Sequence, residues 1–257
     1  METILTTENL SIGYTAKTTT VIADGIDLSL QKGKLISLIG ANGIGKSTLL
    51  RTLAGISRPL SGKVILNEKN IGGYLPSTIA KQLSLVLTDK LPPSNLTVFE
   101  LVALGRQPYT NWIGKLLPED ISAINTALTQ TETTFLAQKK HYEISDGQLQ
   151  KVMIARALAQ DTPLIILDEP TTHLDMQHKA SLLRLLKKLA ESGKCVLFST
   201  HDIDMAIEFS DEMILMFDRK TIQGKPADFI ADGTFNRLFT GDITFDSEKV
   251  KFVFKPS

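Results

Sequence analysis

One cysteine is all the sequence has, Cys195, so no internal disulfide can form. Its place in the apolar run from Cys195 to Phe198 makes it a small core residue of a reducing compartment. Net charge is absent too: 28 Lys and Arg balance 28 Asp and Glu, which argues against a duplex-binding surface. No uninterrupted apolar run approaches the length of a membrane span, and the first residues lack a basic start followed by an apolar core. The chain is therefore expected neither to cross a bilayer nor to leave the cytoplasm by itself. There is no internal repeat, no Asn-Lys-x-Asp element to read guanine, and no metal-ligand spacing among the four histidines. His141 and His178 read as solvated residues and His173 as a turn residue. What remains is a chain of 257 residues, 42% hydrophobic, enough for a substantial core in one large domain or two.

Against that background, Gly40 to Thr48, GANGIGKST, stands out. The run Leu35 to Ile39 reads as a buried parallel strand and Ser47 to Leu53 as the helix after it. Glycines at 40, 43 and 45 let the backbone close around phosphate oxygens with its N–H groups inward, and the helix dipole adds positive charge. Asn42, Gly43, Gly45, Lys46, Ser47 and Thr48 are the expected binding residues. Lys46 reaches the outer phosphates, Ser47 holds Mg²⁺, and Thr48 adds a hydroxyl to an inner phosphate. The ligand class is a nucleoside triphosphate.

A second element follows Pro163: the apolar strand Leu164 to Leu167, ending in Asp168, Glu169 and Pro170. Carboxylates at a strand's carboxyl end sit where α/β sheets bind ligands. Asp168 is expected in the Mg²⁺ shell and Glu169 as the group that polarises the attacking water. Upstream, Ile144 to Gln148 (ISDGQ) opens a helical run through Ala159, and on its own Ser-Asp-Gly would be an ordinary helix cap.

The pentapeptide is similar to the LSGGQ motif of ATP-binding-cassette (ABC) ATPases, and the order of phosphate loop, pentapeptide, DEP strand, HLD turn and histidine is that family's order. The resemblance spans at least Leu10 to Met216. It implies an α/β fold, a P-loop NTPase (RecA-like) core with an antiparallel β subdomain (1–93 and 146–257) and an inserted α-helical subdomain (94–145). It also implies that Ser145, Gly147 and Gln148 contact the γ-phosphate bound by a partner subunit, in a head-to-tail homodimer. Asp175 would cross the dimer interface, His201 would be the switch histidine, and Tyr14 would stack on adenine, favouring ATP. The family usually carries a Gln metal ligand where this chain has Thr88, next to Asp89. Either a water bridges the ion to Thr88, the version adopted here, or Asp89 substitutes.

Secondary-structure patterning agrees with this outline. Ile4 to Ile12, Val21 to Leu30 and Val64 to Leu66 alternate as antiparallel β; no strand is expected from Ser94 to Glu143, where Val98 to Arg106 and a run from Pro118 read as helices. Val250 to Phe254 reads as an added strand. A separate ATPase chain of this kind resembles the energy subunit of a bacterial importer. The segment Leu96 to Trp112 is similar to that of importers of ferric siderophores, haem and cobalamin. The implied partners are a homodimer mate, integral-membrane permease subunits and, indirectly, an extracytoplasmic substrate-binding protein, with no nucleic acid. The implied location is the cytoplasmic face of the inner membrane, held peripherally, with ATP and Mg²⁺ as ligands. The alternative is a non-transport ABC ATPase of DNA repair or translation, which predicts a nucleic-acid-binding insertion or tandem cassettes.

Overall fold

Among the described residues two large, unlike sheets stand beside a small two-stranded one, and the difference in burial between the large two follows from the sequence pattern. A computed structural model describes residues 2–15, 18–88, 91–92, 94–172, 174–238, 243–246, 249 and 251–254. In chain order the strands are β1 (Thr3–Thr15), β2 (Thr19–Ile26), β3 (Ser29–Gln31), β4 (Leu35–Gly40), β5 (Ser61–Leu66), β6 (Lys69–Asn70), β7 (Leu83–Val86), β8 (Leu164–Leu167), β9 (Cys195–Ser199), β10 (Glu212–Phe217), β11 (Lys220–Gly224), β12 (Ile243–Asp246) and β13 (Lys251–Phe254). The helices are α1 (Lys46–Leu53), α2 (Pro76–Ile79), α3 (Val98–Ala103), α4 (Pro118–Gln130), α5 (Asp146–Ala159), α6 (Met176–Glu191), α7 (Ile203–Phe209) and α8 (Pro226–Ala231).

β1 mixes buried and solvated positions along its length and pairs antiparallel with β2, β3 and β5. By contrast β4, β8 and β9 are buried at every position, as strands covered on both faces must be. They lie in a sheet of order β11-β10-β4-β9-β8-β7, parallel except for the β10–β11 hairpin at one edge. The expected antiparallel β segments and parallel motif-bearing sheet are both present.

Among the described residues no strand occurs between 94 and 143. Thr97 opens α3 with a reciprocal cap: its hydroxyl accepts from Glu100 N–H while the Glu100 carboxylate accepts from Thr97 N–H. Val98, Leu101, Ile124 and Leu128 bury into one cluster with Leu182, Ile165, Leu167 and Phe198, so this helical region shares the core on one face of the parallel sheet. Buried Arg106 ties it down, donating to Asp120 Oδ1 and to Ala159 O, each at 2.8 Å. At the end of α5, the Gln160 amide donates to Ala80 O (2.7 Å) and Leu83 O (3.0 Å), while its own carbonyl accepts from Tyr109 Oη. Gln160 thus joins the base of β7 to the helical region.

His141 departs from expectation. It is buried, with Ser94 Oγ 3.4 Å from its Nδ1 and its ring edge-on to Tyr142, because the turn carrying it folds back onto the start of the helical region. The tail holds the expected strand from Lys251, paired with β12, and Phe245 and Phe252 of this pair pack with Phe229 and Phe235. No helix among the described residues is long and apolar enough to cross a membrane.

Cys195 is fully buried in β9, and burial pushes its thiol pKa up from 9.0 to about 12. The unfolded chain ionises first, so this group's contribution to stability is intact below about pH 9 and is lost as pH rises toward 12. The folded protein should not react with an aromatic disulfide reagent at pH 8, and should release one equivalent of chromophore on unfolding; rapid reaction before unfolding would contradict the burial.

Candidate functional site

Register decides which loops meet. Leu38 of β4 is level with Ser199 of β9, Phe198 with Leu167 of β8, and Leu167 with Val86 of β7. The strands run the same way, so the phosphate loop, the 199–202 turn, Asp168–Glu169 and Thr88 all emerge at one end of the sheet. This is the end where parallel α/β sheets present ligand-binding groups.

Gly43 (φ 75°) and Gly45 (φ 113°) turn the loop through left-handed backbone, and a Cβ on Gly45 would stand 2.3 Å from Ile22 Cγ2. Gly45 caps α1 directly, leaving the helix's first N–H groups facing the loop. Asn42, Gly43 and Ser47 are exposed, while Lys46 and Thr48 are buried. The Lys46 ammonium donates to Gly40 O at 2.9 Å and Ala41 O at 3.4 Å. Burial lowers its pKa, an effect opposed by the negative charges of Glu169 and Asp168 nearby. Tyr14, one residue before the end of β1, has an exposed ring with its Oη 2.5 Å from Thr48 Oγ1, so an aromatic face stands beside the phosphate loop.

Across the sheet, Asp168 is buried and Glu169 adopts φ 48°, backbone that a glutamate rarely takes up. The Glu169 carboxylate is held at both oxygens: Oε1 lies 2.5 Å from His201 Nε2, and Oε2 accepts from Thr172 Oγ1 at 3.4 Å. Lys46, Asp168, Glu169 and His201 therefore stand together at this end of the sheet. Thr88 is exposed just beyond β7, on the far side of β8 from His201. Asp89 and His173 lie outside the described residues.

The pentapeptide forms a separate group. Ser145 caps α5: its Oγ accepts from Gln148 N–H at 3.3 Å, and Gln148 Oε1 accepts from Ser145 N–H at 3.1 Å. Asp175 caps α6, accepting from His178 N–H at 2.9 Å, and that N–H together with the His178 ring holds its carboxyl below the usual range. Ser145, Gly147, Gln148 and Asp175 line one cleft of about 670 Å³ with Lys151 and Phe135, and no phosphate-loop residue lines it. The chain thus carries one group of expected site residues at the sheet's end and another in this cleft.

Sequence reasoning missed Ser199. Its hydroxyl donates to Asp168 Oδ1 at 2.6 Å and accepts from Glu169 N–H at 2.8 Å. Ser199 is two residues before His201, but nothing local signals that it reaches a neighbouring strand; only the β8–β9 register does.

Residues 23–172 match the model of the ABC transporter family. The chain is similar to the iron(3+)-hydroxamate import ATP-binding protein of Bacillus subtilis, 41% identical over 93% of this chain and 85% of that one. Its fold resembles a metal-chelate type ABC transporter caught inward-facing (TM-score 0.80, 28% identity, 99% of this chain and 96% of that one). It also resembles a bacterial ABC transporter cassette solved as a dimer (TM-score 0.77, 27% identity, 87% and 99%). With its glycine loop, DEP strand end and helix-capping pentapeptide on this fold, the chain belongs to the ABC transporter family as an ATP-binding ATPase.

Proposed function

We propose that this chain is the ATP-hydrolysing subunit of an importer that takes up an iron(III) chelate, a siderophore or haem, or cobalamin, working as a homodimer on separate permease subunits. Its place is peripheral, at the cytoplasmic face of the membrane, and cargo reaches the permease from an extracytoplasmic binding protein. One observation carries the reading. Lys46, Glu169 and His201 meet at the sheet's end, while Ser145, Gly147 and Asp175 line a different cleft. A site that needs both groups is completed by a second copy of the chain, related by a two-fold axis.

In this mechanism the loop amides and Lys46 hold the phosphates once the ammonium exchanges the Gly40 and Ala41 carbonyls for phosphate oxygens. Tyr14 offers its exposed ring to adenine. Ser47 and buried Asp168 are hard oxygen donors of the kind Mg²⁺ selects, and Thr88 would add its hydroxyl through a bridging water. Bound there, Mg²⁺ would neutralise charge on the phosphates. Glu169 accepts the proton of the attacking water and His201 answers to the terminal phosphate, so their mutual bond opens as the two groups take up those tasks. From the partner copy, Ser145 and the α5 amides grip the same phosphate. ATP closes the pair by differential contacts, and loss of phosphate reopens it. The helical region moves with closure and pushes on the permease.

Glu169→Gln should bind ATP normally, lower turnover about 100-fold or more, and elute as a dimer at saturating Mg-ATP. A variant that stays monomeric under those conditions would contradict the shared site. Thr88→Ala should slow permease-coupled ATP turnover more than it weakens nucleotide binding, measured by fluorescent-nucleotide titration beside turnover in vesicles; equal losses would remove Thr88 from the coupling path.

A further inference from the structure

Asp168 and Glu169 are adjacent in sequence, yet they leave β8 in different directions, Asp168 inward and Glu169 toward His201. Glu169 also takes up left-handed backbone, φ 48°, for which glutamate has no intrinsic preference. Something outside β8 must hold the intervening peptide. Ser199, fully buried at the end of β9, bonds both residues through one oxygen: it donates its proton to Asp168 Oδ1 and accepts the Glu169 N–H.

We propose that Ser199 is a positioning residue for ATP hydrolysis, its hydroxyl locking the Asp168–Glu169 peptide so that one carboxylate stays inward and the other faces the reacting water. The proposal rests on the reading of Glu169 as the proton acceptor. Packing alone does not account for a serine here. The preceding β9 residues Val196, Leu197 and Phe198 are all buried and apolar, so an aliphatic side chain would suit the position. A hydroxyl contributes what an aliphatic group lacks, a donor and an acceptor in one atom. The neighbouring strand supplies the contrast. Ser37 of β4, level with Phe198, is equally buried, and its hydroxyl has no partner among the described residues.

Ser199→Ala and Ser199→Cys should each lower kcat about tenfold or more, since a bond to a charged group and a backbone donor's partner are lost together. ATP KM and nucleotide Kd should stay within about twofold, because the phosphate loop is untouched. Ser199→Thr, which keeps the hydroxyl, should recover most of the rate, and Ser37→Ala should behave as the parent protein. Wild-type kcat in either hydroxyl-free variant overturns the proposal, as does parallel loss of nucleotide binding and turnover. If alanine unfolds the protein, the cysteine variant, close to serine in volume, decides by the same criteria. Glu169→Gln run alongside separates the two claims: full turnover there removes the premise, whereas loss of turnover there with wild-type rates in the Ser199 variants removes only the positioning role.

Discussion

The arrangement depends on burying opposite charges at the end of a parallel sheet without letting them neutralise one another. Lys46 is withdrawn from water and its ammonium is anchored to main-chain carbonyls, while Asp168 is buried on a serine hydroxyl and Glu169 is held on His201. An isolated buried charge is costly unless it is hydrogen-bonded. Each group here has a partner that a phosphate, a metal ion or a water can replace. The neighbouring carboxylates also oppose the fall that burial imposes on the Lys46 pKa, which keeps the ammonium available for an anion. Helix N-termini add the other half of the electrostatics, once at Gly45 before α1 and once at Ser145 before α5.

Gly40 to Thr48 was legible because the chemistry is local. Close backbone approach and left-handed dihedrals select glycine, and a strand before and a helix after are visible in the apolar pattern. Asp168–Glu169, His201 and the pentapeptide became legible together, through their order along the chain. Ser199 was not, because a serine's reach across strands depends on register, which no short window of sequence encodes. His141 was misjudged as solvated for a similar reason: a lone polar ring is buried here by a turn folding back on residues far upstream. The Arg106–Asp120 pair and the Gln160 junction also join segments distant in sequence, so their partners could be found only in the fold.

Those junctions tie the helical region to the rest of the fold. The helical region shares its core with one sheet face, and polar bonds from Gln160 connect it to the base of β7, the strand that leads to Thr88. The helix that the pentapeptide opens is thus bonded at its far end to the start of β7. An ATPase that drives a separate permease needs such a connection.

The central claim is that each nucleotide is held between two copies of the chain. A structure of the closed assembly with Mg²⁺ and a non-hydrolysable ATP analogue tests it most directly. The account predicts Ser145 of one copy within hydrogen-bond distance of the terminal phosphate held by Lys46 of the other. A closed assembly in which Ser145 stands remote from that phosphate would contradict it.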